Sequence, residues 1–180
     1  MTTSQHDFTL RFSRRYSMAH RLTSGAAPAC SVPHGHDEVV TVEIVQADNA
    51  PLDPATNMLV EFDVAKRRWF EWIDRAVDHS FHLHAEDPLV SYFRTHEPNL
   101  VPRLLLTPGD PTTEMRALCF KSKLQNMLDA GQRNLVCQRL TIQETPTNAV
   151  VCEADRSTME RLLPTGSFWW HRPDPSINDL

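Results

Sequence analysis

The chain is expected to fold as an α+β domain built around an antiparallel sheet. Two hairpin-like pairs of alternating segments lie at its ends, and the region between them carries two stretches of helical period. The resulting order is strand, strand, helix, helix, strand, strand, without an internal repeat.

Each element has a local reason. Residues 8–20 alternate, with Phe8, Leu10 and Phe12 on one face, and read as a strand. Residues 23–33 (TSGAAPACSVP) are a loop by composition. Residues 38–47 (EVVTVEIVQA) alternate β-branched and polar positions and form the second strand. A Pro/Asp/Asn connection follows, and residues 58–61 look like the end of an extended segment. From Asp63, a plausible N-cap, the apolar residues Val64, Trp69, Ile73 and Ala76/Val77 recur at helical spacing as far as about Asp78. Residues 80–110 hold four prolines and read as a long loop with a short helix near Leu89 to Arg94. A second helix starts after Thr112 or Thr113, shows Met115, Leu118, Cys119, Leu124 and Leu128 on its apolar face, and ends before Gly131. Residues 135–142 and 149–153 are strands joined by a turn at 145–148. The tail, 155–180, contains a Phe168-Trp169-Trp170-His171 run, which is expected to pack on a neighbouring subunit.

Composition narrows the function. A chain of 180 residues can bury one good core. With 41% hydrophobic and 23% charged residues it belongs with soluble globular proteins. A net charge of -5 without a basic run argues against a nucleic-acid partner, although a local basic pocket can still take an anionic small substrate. The first seven residues are polar, and no apolar stretch is long enough to span a bilayer. A cytoplasmic protein with no membrane partner is expected. None of the four cysteines forms a CxxC pair, so free thiols are expected. Cys119, Cys137 and Cys152 sit in apolar patterns; Cys30 instead lies in the small-residue loop.

The chemistry concentrates around His34-Gly35-His36. Histidines at i and i+2 share one face of a strand. With His20 from a neighbouring strand they would supply three nitrogens and leave a fourth position open, the arrangement of a catalytic zinc. Gly35 suits a place where backbone or ligand comes close. Each candidate also has a plain reading. His20 could simply end a strand, Cys30 could be an idle thiol, and Glu144 could be a solvated residue entering a turn. Asp78-His79 could be a helix C-terminus with a histidine favoured by the dipole. A second cluster, His79, His82 and His84, is the rival metal site, but ligands crowded on one irregular segment rarely close a rigid geometry.

Taken together the pieces resemble the 6-pyruvoyltetrahydropterin synthase / 6-carboxytetrahydropterin synthase family. The matching stretches are FSRRYSMAHRL (12–22), CSVPHGH (30–36), DPATNMLVEFDVAK (53–66), VDHSFHL (77–83), DPTTE (110–114) and QETPTNAVV (143–151). The chain departs from the pattern at Asn57, Glu61 and Ser80, and in the long 80–110 insertion. The resemblance implies a tunnelling fold (T-fold): a four-stranded antiparallel sheet in the order β-β-α-α-β-β, with two helices on one face. It implies a domain over 1–154 carrying the insertion, with 155–180 as a tail. It assigns His20, His34 and His36 as zinc ligands, and Cys30, Asp78 and His79 as catalytic residues. Glu144 would hold the pterin ring, with Thr112 and Glu114 beside it. It further implies a homo-oligomer, most plausibly a hexamer.

The three-residue gap between Cys30 and His34 resembles the 6-carboxytetrahydropterin branch, which makes a 7-deazaguanine (queuosine) precursor. The implied reaction turns 7,8-dihydroneopterin triphosphate into 6-carboxy-5,6,7,8-tetrahydropterin, acetaldehyde and triphosphate. The chemistry is coherent. An open zinc site can bind vicinal hydroxyls, a cysteine near a dication can act as a base, and a carboxylate can accept both N–H groups of a pterin edge. Two alternatives stay open at this point. One is a 6-pyruvoyltetrahydropterin synthase or a paralogue acting on another pterin. The other is a zinc-stabilised pterin-binding protein in which Cys30 closes the metal site.

Overall fold

The computed structural model describes residues 6–25, 27–48, 51–131 and 134–180. Its centre is a hairpin of β1 (Leu10–His20) and β2 (His34–Gln46), paired antiparallel from Leu10↔Ile44 to His20↔His34. Alternation sends Tyr16, Met18 and His20 of β1 to the inner face, which they share with Val40, Val42 and Ile44 of β2. β5 (Leu135–Gln143) pairs antiparallel with β2, and β6 (Ala149–Cys152) with β5. These four strands form the antiparallel arrangement expected from the sequence.

The sheet nevertheless has six strands and is mixed, in the order β4-β3-β1-β2-β5-β6. β3 (Ser80–His84) and β4 (Leu104–Thr107) come from the stretch expected to be a long loop. β3 runs parallel to β1, and β4 parallel to β3. Both are short and largely buried, so they lack the alternation that marks a strand with one wet face. They are joined by α3 (Pro88–His96) and a 3-10 turn at Pro98–Arg103. Asp87 caps α3 by accepting from the Leu89 N–H, and its carboxylate pairs with Arg21 beyond the end of β1. Leu83, Val90, Leu104 and Leu106 make a second small core there.

Other boundaries shift. β1 begins at Leu10, leaving Phe8 exposed, and β2 begins at His34 instead of Glu38. Residues 58–61 form a bend, and Asn57 takes the left-handed conformation (φ 56°) that its side chain tolerates. α1 is a single turn at Pro28–Ser31. α2 (Phe62–Trp72) starts one residue before Asp63, which therefore sits in the first turn and is not the cap. A π-helical turn at Ile73–Val77 then delivers the chain to Asp78. α4 (Thr113–Ala130) is capped by the Thr112 hydroxyl, which accepts from the Met115 N–H. Gly131 follows it with φ -77°, so its position does not need a glycine's left-handed freedom.

α2 and α4 cover the inner face of the sheet. Trp69 and Trp72 stack at 5.0 Å between centroids, and Phe120 meets both edge-on. The Phe168–His171 run, expected from the sequence to pack on a neighbouring subunit, packs within this chain. After α5 (Arg156–Leu162) the tail lays Trp169 and Trp170 into this chain's own core. Trp169 stacks on Trp72 and donates its indole N–H to the Leu106 carbonyl at 2.6 Å. Ile177 and Asn178 then bond the backbone of β4, closing that sheet edge. α4 is consequently packed on both sides, and its buried Ser122 and Lys123 donate to tail carbonyls at 2.9 Å. Tail and domain are therefore packed as one core. Replacing Trp169 by Ala should lower the unfolding free energy by about 3–5 kcal/mol in chemical denaturation. A loss under about 0.5 kcal/mol would be that of a surface residue.

Candidate metal centre and adjoining cavity

The β1–β2 register places His20 directly across from His34, and His36 two residues on shares the same face. The centroids of the three imidazoles are 4.5 to 5.1 Å apart. One nitrogen from each lies within 4.8 Å of the others, the one group of metal-compatible side chains this close among the described residues. Gly35 permits the geometry, because a Cβ there would lie 2.7 Å from the Met18 carbonyl oxygen.

The outer nitrogens set the tautomers. His20 Nδ1 faces the Pro111 carbonyl at 3.1 Å, and His34 Nδ1 faces the Val32 carbonyl at 2.8 Å. A carbonyl can only accept, so both Nδ1 atoms carry the proton. Burial, assisted by the Arg116 charge, pushes the His20 pKa down to about 4 and keeps that ring neutral at pH 7. Its Nε2 lies 3.0 Å from that of His34. With His36, these ring nitrogens converge closely enough to hold one cation between them. Three imidazole donors, two of them held by backbone carbonyls, fit zinc.

Beside the triad lies a cavity of about 310 Å³, lined by His20, Leu22, Thr112, Thr113, Glu114, Glu144, Asn148, Ala149 and Val150. Glu144 follows β5 directly. Its Oε1 accepts from the Thr113 hydroxyl at 2.7 Å and from Arg116 at 3.3 Å. Burial opposes the charge on Glu144, but the Thr113 hydroxyl and the Arg116 guanidinium outweigh it and hold the carboxyl below its ordinary pKa. The cavity thus joins an ionised carboxylate to a metal-competent triad.

The remaining candidates divide. Thr112 and Glu114 line the cavity, as expected from the sequence. Cys30 sits half-buried on α1, whose Cys30 carbonyl accepts from the Leu22 N–H at 2.8 Å. It is not in the close-packed donor group, which contains histidines alone. Asp78 and His79 form their expected pair, with His79 Nδ1 at 2.7 Å from Asp78 Oδ2, and Asp78 also accepts from the Ser17 N–H. His79 is largely exposed, takes φ 59° and lines a different, apolar groove with Phe81, Phe93 and Arg103. One chain therefore does not bring Asp78-His79 to the cavity that holds Glu144. The rival cluster of His79, His82 and His84 does not assemble. His82 points into the core and meets Ser80 at 2.8 Å.

Three site-forming residues escaped the sequence reading. Glu38 and Arg116 are fully buried and paired at 2.5 Å, and the Tyr16 hydroxyl donates to the same Glu38 oxygen at 2.6 Å. The available signal was alternation: Glu38 follows His34 and His36 at i+2 and so faces inward. A carboxylate on a buried face demands a cation.

Residues 9–155 match the family described as 6-pyruvoyl tetrahydropterin synthase. A 6-carboxy-5,6,7,8-tetrahydropterin synthase from Rickettsia felis is 28% identical over 131 residues, 73% of this chain and 89% of that protein. An uncharacterized protein from Wolinella succinogenes shares the fold with a TM-score of 0.66 at 17% identity, over 82% of this chain and 98% of that one. The Caenorhabditis elegans 6-pyruvoyl tetrahydropterin synthase superposes with a TM-score of 0.55 at 24% identity, covering 82% and 96%. With the match spanning both hairpins and both covering helices, the chain belongs to the 6-pyruvoyl tetrahydropterin synthase family of pterin synthases.

Proposed function

We propose that the protein is a zinc-dependent lyase that converts 7,8-dihydroneopterin triphosphate to 6-carboxy-5,6,7,8-tetrahydropterin, releasing acetaldehyde and triphosphate. The observation that carries this reading is the convergence of three imidazole nitrogens beside the Glu144 cavity. The Rickettsia relative bears the name of an enzyme making that product, which favours the carboxy branch.

In this reading His20, His34 and His36 hold zinc, which when bound polarises the side-chain hydroxyls of the substrate. Glu144 accepts the paired N–H groups of the pterin edge, and Thr112 and Glu114 shape the wall around it. Cys30 takes the proton from the activated side chain. His79, oriented by Asp78, moves a proton on the other side of the substrate.

Asp78-His79 lies on a different groove, so a second copy of the chain is needed to bring it to the cavity. The strand edges support assembly. β3 covers only Met18–His20 of β1, and the rest of that edge and the outer edge of β6 pair with no strand among the described residues. The reading therefore includes a homo-oligomer, a hexamer in its full form. Light scattering at assay concentration should give a multiple of the chain mass, and a monomer with full activity would contradict it.

Zinc-loaded protein incubated with 7,8-dihydroneopterin triphosphate should yield the 6-carboxy product and acetaldehyde by mass spectrometry. The 6-pyruvoyl product would reassign the reaction, and absence of turnover would reject it. Cys30→Ala should lower kcat by about 10²–10⁴-fold, the usual worth of an acid–base group, with zinc content unchanged. Loss of zinc in that variant would instead make Cys30 a ligand.

A further inference from the structure

Arg116 spends its N–H donors on four hydrogen bonds in an unusual arrangement. The side chain is fully buried on α4. Its Nε donates to the Pro111 carbonyl at 3.1 Å, the same oxygen that receives His20 Nδ1–H. One terminal nitrogen donates to Glu38 Oε2. The other donates to Thr113 Oγ1 at 3.1 Å and to Glu144 Oε1 at 3.3 Å. The guanidinium thus joins a buried carboxylate, the wall of the cavity and the carbonyl behind a metal-competent histidine.

That orientation is not the one stability alone would select. A guanidinium and a carboxylate pair best as a two-pronged fork. Here Arg116 gives Glu38 a single prong, and Tyr16 donates to the same oxygen. Glu38 Oε1 is left buried without a partner, an arrangement that is costly in a protein interior. The second prong is turned toward Thr113 and Glu144 instead. Thr113 relays it, accepting from Arg116 and donating to Glu144 at 2.7 Å. Both contacts fall on Glu144 Oε1, so Oε2 stays available to the cavity. A carboxylate pinned through one oxygen presents the other at a fixed angle.

We infer that Arg116 is a positioning residue for substrate recognition, holding Glu144 oriented toward the ring of the substrate, with Glu38 and Tyr16 serving as its mount. The inference rests on the pterin-synthase reading of the cavity given above. It assigns Arg116 to ring binding, not to the metal or the proton transfers.

Removing Arg116 alone would leave the buried Glu38 and the half-buried Glu144 unmatched and could unfold the chain. The test therefore replaces the mount with the residue, as Tyr16→Phe, Glu38→Leu and Arg116→Met together, since a buried ion pair can be exchanged for apolar groups of similar volume without loss of stability. Thr113→Val supplies a second, milder variant that cuts the relay. The comparison is steady-state kinetics on 7,8-dihydroneopterin triphosphate with zinc content and thermal unfolding measured in parallel. The triple variant should keep one zinc per chain and change kcat less than about threefold, while KM rises at least about tenfold, the scale of a lost hydrogen bond to a charged group. Thr113→Val should raise KM in the same direction by less. Adding Glu144→Gln to the triple variant should cost little more than Glu144→Gln alone, because both act through one group. A folded triple variant with unchanged KM would overturn the inference, as would a kcat loss with KM intact. Loss of zinc would also overturn it, by making Arg116 a support of His20. If Thr113→Val alone folds, unchanged KM in that variant decides against the relay. Failure of the wild-type protein to turn over or retain the pterin would instead sink the functional reading beneath it.

Discussion

The site depends on the register of one strand pair. Eleven consecutive residues of β1 face partners on β2, ending at His20 opposite His34. Because side chains alternate, a slip of one residue would move His34 and His36 to the other face and leave Val40, Val42 and Ile44 in solvent. The core residues that lock the register are therefore the ones that converge the imidazoles. Gly35 completes the constraint, since any side chain there would strike the Met18 carbonyl of the facing strand. Geometry at the metal centre is in this sense a by-product of hydrophobic alignment further along the same strands.

The inner face is costly at the end nearest the site. Glu38, Arg116 and His82 lie among buried residues, where unpaired charge is strongly disfavoured. Breaking such a pair from one side typically loses about 3–5 kcal/mol, so Tyr16, Glu38 and Arg116 must be retained or replaced together. The aromatic stack of Trp69, Trp72, Phe120 and Trp169 lies between the sheet, the helices and the tail. The tail earns its place by covering α4 and the β4 edge, which would otherwise expose backbone groups ready to pair with another chain. The Leu10–Ser17 edge of β1 and the outer edge of β6 pair with no strand among the described residues.

Much of this was readable in advance. Strong alternation in β2 and β5 and the helical period of α2 and α4 named the four antiparallel strands and the two covering helices. The i, i+2 histidines on a strand led directly to the triad, and Thr112 was recognisable as a cap. Five features were hidden for physical reasons. β3 and β4 are too short and too uniformly buried to alternate. β2 starts at His34 because tertiary pairing with His20 overrides the weak strand preference of His-Gly-His. Trp169 and Trp170 looked exposed because nothing local shows that α4 has a second buried side. Arg116 sits at a helix position that reads as solvated, and its partner lies 78 residues away on a strand. The separation of Asp78-His79 from the Glu144 cavity was likewise beyond any linear motif, since it depends on where two turns of backbone end in space.

The central proposal is that three imidazoles, with no sulfur, hold a catalytic zinc next to the Glu144 cavity. X-ray absorption at the zinc edge of the loaded protein tests it most directly. The account predicts three nitrogens and one exchangeable oxygen at about 2.0–2.1 Å. A sulfur shell at about 2.3 Å, or no zinc uptake by the folded protein, would contradict it.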